Sequence, residues 1–300
     1  MTWQLNSSQN GNGFDFLAAR SANFRWASRL YLVSFIAPLG LSFIGFWMTG
    51  APSDAANILA IVSLFYTFLE LVFIERTIAR ATKVGAGLAE KFDCEIFGIP
   101  RNEYMKGELS VASISHATES MTPKQIDALK NWYNPELQKL PKDVAAVAAQ
   151  YTSTAYDMAL RKTFVKCLFF MLGTLILGVL VFMIYKNLDI RQSLVTSVIP
   201  FLPLAVFLIK NALATRDLIA EQEAALRVMD TQIKQILRGV LRGGPLLEAC
   251  RDNQDALYMR RSAPLLVMPG IYLIARRRRE ESANRYAAKL VSEYLAKHPA

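Results

Sequence analysis

Cys167-Leu168-Phe169-Phe170-Met171-Leu172-Gly173-Thr174-Leu175-Ile176-Leu177-Gly178-Val179-Leu180-Val181-Phe182-Met183-Ile184-Tyr185 carries no charged side chain and nothing more polar than Thr174. A membrane-spanning helix needs roughly 20 mostly apolar residues, and this run supplies them. Three more uncharged windows cover residues 30–53, 55–69 and 192–209. The window at 55–69 reaches helix length only by including Glu70 and running on to Ile74. The four windows fall into two pairs, held apart by the polar residues 75–166.

Hydrophobic residues make up 53% of the chain. That value alone also fits a soluble protein with two buried core hairpins. The apolar residues are concentrated in long blocks rather than spread at core spacing, which favours a membrane protein. The first 25 residues are polar and lack the apolar stretch and small-residue cleavage site of a signal peptide. Cys94, Cys167 and Cys250 have no metal-ligand spacing and outline no disulfide framework.

The net charge of +9 lies largely beside the apolar windows, where membrane orientation accounts for it without DNA or RNA. Arg20, Arg25 and Arg29 precede the first window, and Arg76, Arg80 and Lys83 follow the second. Arg161, Lys162 and Lys166 precede the third, and Lys210 and Arg216 follow the fourth. The first link carries only Asp54, and the second sets Lys186 and Arg191 against Asp189. Counting basic residues places both termini and the middle block in the cytoplasm.

The expected fold is an all-α membrane protein with four transmembrane helices in two hairpins and a cytosolic helical stalk region. Its layout is a cytosolic N-terminal segment over 1–29, hairpin one over 30–74 and a cytosolic middle region over 75–166. Hairpin two follows over 167–211, and a cytosolic C-terminal helical region over 212–300.

Within the spans, Pro38 and Gly40 interrupt the first, and Pro200 and Pro203 the fourth. Internal proline removes a backbone hydrogen bond and favours a kink. Ordinary bending and a flexible or pore-lining helix both fit that pattern. Glu70, in Phe68-Leu69-Glu70-Leu71-Val72, is the sharpest residue. A carboxylate in mid-bilayer costs roughly 2.5–3.5 kcal/mol on insertion scales. It either sits near the headgroups or faces a pore or bundle interior.

The middle region is expected to continue span two as a helix from Arg76 to about Lys91, weakened by Gly85 and Gly87. A short non-helical segment with buried Phe92, Ile96 and Phe97 follows, ending in the Gly98-Ile99-Pro100 turn. Thr122-Pro123-Lys124-Gln125 has the form of a capping box with proline at the first helical position. That helix is expected to end near Asn131-Trp132-Tyr133-Asn134-Pro135, and Pro141 to open a longer helix running into span three. In the C-terminal region, Leu226, Met229, Ile233, Ile236, Leu237, Val240 and Leu241 form a helical stripe, stopped at Arg242-Gly243-Gly244-Pro245. The apolar residues 263–275 are too short to span. With Arg276, Arg277, Arg278 and Arg279 they form either an inner-leaflet contact or a core segment followed by a solvated charge run.

Catalytic chemistry has no footing here. His116 and His298 cannot make a metal site by themselves, Ser113 and Ser115 beside His116 form no nucleophile arrangement, and no glycine-rich phosphate loop is present. The chain reads as a non-enzyme with no cofactor.

Three motifs carry a family likeness. They are Phe92-Asp93-Cys94-Glu95-Ile96-Phe97-Gly98-Ile99-Pro100 with Arg101-Asn102, then Asn131-Trp132-Tyr133, then Gln254-Asp255-Ala256-Leu257-Tyr258-Met259-Arg260-Arg261-Ser262-Ala263-Pro264-Leu265. Through them the chain resembles the SMODS-associated four-transmembrane effectors, with a distant similarity to SLATT membrane domains. It departs in having Arg101 where the family commonly has Trp, and Gly270-Ile271 after Pro269 where an acidic residue and an aromatic are frequent. The resemblance implies a pore-forming or membrane-disrupting effector of anti-phage defence in the bacterial inner membrane. Its trigger would be a cyclic di- or oligonucleotide made by a cytosolic nucleotidyltransferase, and its action would be homo-oligomeric, causing abortive infection. Under that reading Arg101, Arg260 and Arg261 are candidate contacts for the signal's phosphates, and Glu70, Pro200 and Pro203 candidates for a pore or bundle interior. The alternatives are a non-conducting membrane-anchored scaffold and a small channel or transporter unrelated to defence.

Overall fold

The computed structural model describes residues 3, 5, 11, 13–47, 53–102, 104, 114, 117, 119, 121–187 and 198–298, apart from the side chains of 46, 53, 56, 200, 269, 271–280, 282 and 283. Every regular element among them is helical. In chain order these are α1 (Phe14–Trp47) and α2 (Ser53–Leu69), then a π-helical turn (Glu70–Ile74) that leads directly into α3 (Glu75–Phe97). Next come α4 (Pro123–Leu129), a 3-10 turn (Pro135–Lys139) and α5 (Lys142–Tyr185). The chain closes with α6 (Ile199–Leu237), α7 (Gly244–Ser262) and α8 (Pro269–Lys297).

Among the described residues, three helices are long and apolar enough to cross a membrane: Phe14–Gly45, Asn57–Phe97 and Lys142–Tyr185. The fourth window enters the described residues only at Val198, and α6 carries its second half. The 44 residues of α5 extend about 66 Å, twice the hydrocarbon thickness, so one rod serves as both span and stalk. Trp26 and Trp47 on α1 are both exposed and stand about 32 Å apart, the separation of two interfacial aromatic belts.

Among the described residues, the two larger apolar cores follow from this layout. One sits where spans meet stalks and joins Tyr31, Ile78, Phe164, Leu168, Phe207 and Ala212. The other lies in the stalk region around Phe92, Phe97, Tyr133, Leu137, Cys250 and Leu290. Ala145, Ala146, Ala148 and Ala149 are fully buried at the start of α5, where small side chains let neighbouring helices approach on every side.

Several expectations need correction. The segment 92–97 is helical: α3 runs through it to Phe97 and stops at Gly98, whose φ of +67° forms a left-handed cap. The turn residues lie after the hydrophobic ones, so they end the helix rather than shape the whole motif. Phe92, Ile96 and Phe97 are buried as expected. Gly85 and Gly87 do not break α3. A Cβ on Gly85 would lie 2.9 Å from the Phe24 ring, so the glycine is what lets α1 lie along α3. The C-terminal stripe ends earlier than its pattern suggested: α6 stops at Leu237, Gly239 has φ +70°, and Val240 is exposed. Residues 263–268 belong to no regular element, and Leu266, Val267 and Met268 pack on the span–stalk core before α8 begins at Pro269.

The capping box at Thr122 and Gln125 is formed, α4 ends at Leu129, and α5 runs unbroken from the stalk into span three.

Candidate functional site

The three motifs meet in space. Glu90 and Asp93 lie one turn apart on α3, and both are buried. Across from them, α7 presents Arg251, Gln254, Asp255, Tyr258 and Arg261, the three- and four-residue spacing that aligns side chains on one helix face. Asp93 Oδ1 accepts a hydrogen bond from the Tyr133 hydroxyl at 2.6 Å. Its Oδ2 accepts from Gln254 Nε2 at 2.9 Å and from Arg261 Nη1 at 2.6 Å. Gln150 of α5 joins by donating to Gln254 Oε1 at 3.0 Å and to the Cys250 carbonyl at 2.9 Å.

A second ion pair flanks the first. Arg251 Nη2 lies 2.6 Å from both Glu90 Oε1 and Asp255 Oδ1, and its Nη1 donates to the Pro100 carbonyl at 2.6 Å. Asn102 Nδ2 reaches Asp255 Oδ2 at 3.3 Å. In the remaining motif, Asn131 takes a left-handed φ of 54°, and the Arg20 guanidinium lies 4.6 Å from the Trp132 ring centroid. The motifs therefore tie α3 to α7 through charge-assisted hydrogen bonds, and Gln150 joins α5 to α7 through neutral ones.

The electrostatics follow from burial and pairing. Burial drives the Tyr133 hydroxyl far above the usual phenol range, and the Asp93 charge pushes it further. Burial by itself would lower Arg261, but Asp93 and Tyr133 outweigh it and raise that guanidinium. Arg251 is raised in the same way, with Glu90 outweighing burial. Arg260 goes the other way. Burial, then the charge of Arg261, pushes it down to about 10.

The three arginines singled out from sequence are dealt different roles. Arg101 is exposed in the loop after Pro100. Arg261 is held by Asp93. Arg260 is 5% exposed, and its Nε and Nη2 have no hydrogen-bond partner. Glu90, Asp93, Tyr133 and Arg251 were not foreseen as a unit; the spacing on α7 was the available signal. Arg276 to Arg279 fall on α8, with side chains outside the described ones, as are His116, Ser113 and Ser115 altogether.

Glu70 opens the π-helical turn and is 8% exposed. A π-turn holds an extra residue in the helix and shifts which side chains face inward. Glu70 shares its surroundings with Ser34 of α1, Tyr66, Glu75 and Lys210. Below it Lys210 pairs with Glu75, and the Tyr31 hydroxyl donates to Asn211 Oδ1 at 2.9 Å. Pro203 is buried within α6, while the side chain of Pro200 lies outside the described ones. A cavity of about 400 Å³ between α1, α5 and α6 is lined by Leu39, Phe170, Thr174, Phe201 and Leu204, with no charged group, and suits lipid rather than ions.

Among the described residues, no three His, Cys, Asp or Glu side chains gather as a metal site. The all-helical fold and its membrane-length apolar helices define a multi-pass helical membrane protein. The family described as "SMODS-associating 4TM effector domain" matches residues 5–290, and the chain belongs to that family. The family's description is that of an effector, not an enzyme. The chain is also similar to a "Probable CBASS effector molecule" of Bacillus cereus (strain VD146), with 22% identity over 199 residues. That alignment covers 66% of this chain and 65% of the relative, so the chain spans just under two thirds of the curated protein it matches. No solved structure matches it significantly.

Proposed function

We propose that this chain is a membrane effector of anti-phage defence that permeabilises the bacterial inner membrane when a cyclic nucleotide signal is made. The observation that carries the reading is the continuity of α5, which starts in the stalk core beside the Asp93–Arg261 network and runs unbroken through the uncharged residues 167–185. A rigid helix converts a rearrangement of the stalk into a movement of the span. Glu70 gives the membrane bundle a polar interior group on which a conducting path can be built, with Pro200 and Pro203 as the bending points of the fourth span. Four spans in two hairpins, cytoplasmic termini and a homo-oligomeric active state complete the proposal. The four uncharged windows support the first, the charge pattern the second, and the small size of a single four-helix bundle the third. The family match and the Bacillus relative support the defence setting.

The test is membrane potential and dye leakage in cells expressing the protein with its neighbouring genes, with and without phage. Depolarisation that appears only on infection supports the proposal. A protein that binds partners and never depolarises the cell is instead a membrane-anchored scaffold.

A further inference from the structure

Arg260 is the anomaly of the stalk. It is 95% buried by its 5% exposure, yet Nε and Nη2 donate to nothing. The charged groups that reach it electrostatically are Arg261, Arg161, Asp157 and Glu221. Arg261 is held by Asp93. Arg161 donates from Nε to Asp157 Oδ2 at 2.7 Å and from Nη1 to the Leu265 carbonyl at 2.7 Å. Asp157 Oδ2 also accepts from Gln222 Nε2 at 2.6 Å. Glu221 is exposed on α6. Asp157 and Glu221 favour the Arg260 charge through space, but neither meets its Nε or Nη2, and the charges of Arg261 and Arg161 oppose it.

A second orphan lies in the same cluster. Gln222 is 1% exposed, and its Oε1 has no donor. A buried guanidinium with two N–H donors unmet is an unfavourable arrangement in a protein. Arginine's planar fork matches the oxygens of a phosphate. We infer that Arg260 anchors an oxyanion site between α5, α6 and α7, which takes the phosphate of a phosphorylated ligand, with Gln222 Oε1 accepting from a hydroxyl or amine of the same molecule. Residues 263–268 pass beside the site, pinned by Arg161 at Leu265. Arg161 lies only about 9 Å of helix before the apolar window of α5, so both a lipid headgroup and a soluble phosphate are within reach. The inference rests on the nucleotide-triggered reading only for the biological identity of the ligand.

The experiment uses full-length protein in nanodiscs and reads Tm. One arm compares sodium phosphate with sodium chloride at equal ionic strength in phosphatidylcholine discs. The other compares phosphatidylcholine discs with discs containing phosphatidylglycerol, in chloride. A saturable rise in Tm is expected in at least one arm; the phosphate arm assigns a soluble ligand and the lipid arm a headgroup. Arg260→Gln removes the rise, and Arg260→Lys, which keeps the charge but loses the fork, moves its midpoint about tenfold higher. Arg285→Gln, at an exposed position of α8, leaves it unchanged. Flat Tm in both arms, or a rise of equal midpoint in the Arg260 variants, overturns the site. Anion binding without depolarisation of infected cells defeats the pore reading and leaves the site standing; depolarisation without anion binding does the reverse.

Discussion

Asp93 Oδ2 accepts a hydrogen bond from Arg261 Nη1 at 2.6 Å, joining α3 to α7 across 168 residues of sequence. The carboxylate is 3% exposed and the guanidinium 18%, so neither is hydrated as it would be in water. Removing one partner of such a pair leaves the other uncompensated, which is where its structural weight lies.

Asp93→Ala is therefore expected to lower stability by about 3–5 kcal/mol, read as thermal unfolding of the purified protein. The double variant Asp93→Ala with Arg261→Met recovers part of that loss, because no charge is then stranded. Asp127→Ala, at a carboxylate 69% exposed, serves as the reference. Equal losses at the two aspartates would show that the network does not hold the stalk.

Gly85 and Gly173 make a matched pair of tests. At Gly85 an added methyl meets Phe24 at 2.9 Å, whereas at Gly173 it meets nothing within 4 Å. Gly85→Ala is expected to destabilise by about 1–3 kcal/mol through overpacking. Gly173→Ala is expected to be neutral or slightly stabilising, because alanine has the higher helix propensity. The two melting shifts, measured side by side, should have different signs or clearly different sizes.

Cys250 gives a pH-dependent contribution. It is buried, its thiol points to the Asp143 carbonyl at 3.4 Å, and burial followed by the Asp143 charge pushes its pKa up to about 12 from the usual 9. The folded state holds the proton more tightly than the unfolded state. Its contribution is fully present below pH 9 and is lost as pH climbs from 9 towards 12. Melting curves across about pH 8–11 are expected to fall more steeply for the native protein than for Cys250→Ala. Mass-spectrometric alkylation gives a second readout, with Cys250 modified only after unfolding.

Glu70→Gln keeps the shape of the side chain and removes its charge. If Glu70 lines the conducting path, cation flux and selectivity in activated cells change while expression and Tm are retained. Unchanged flux and selectivity would place Glu70 outside the path and leave it as a buried packing group.

Much of this architecture is legible along the chain. The windows at 30–53 and 167–185 are recognisable because charge is missing from them, and Pro141 marks the start of α5 because proline suits the end of a helix and not its middle. The helical state of 92–97 is not legible from the local pattern. Gly98-Ile99-Pro100 is a strong turn signal, but its influence does not extend backwards past the glycine cap. The motifs themselves stand out in the sequence, yet nothing in it says that Tyr133, Gln254 and Arg261 converge on one carboxylate, because no local period links positions so far apart.

Sequence by itself determined that this is a multi-pass helical membrane protein with long stalks. Transfer of a helix into lipid is nearly a sum over consecutive residues, so composition within a window decides it. Tertiary structure alone decided which charges are neutralised. Arg260 and Arg261 are adjacent in sequence and about 100° apart around α7. One faces Asp93 and is paired, while the other faces α5 and α6 with two donors unmet. Glu70 was likewise visible as a carboxylate in an apolar run, but its burial depends on a π-turn and on α1 lying against it. Pairing energies depend on distance and on exclusion of water, and both are set only once the helices have packed.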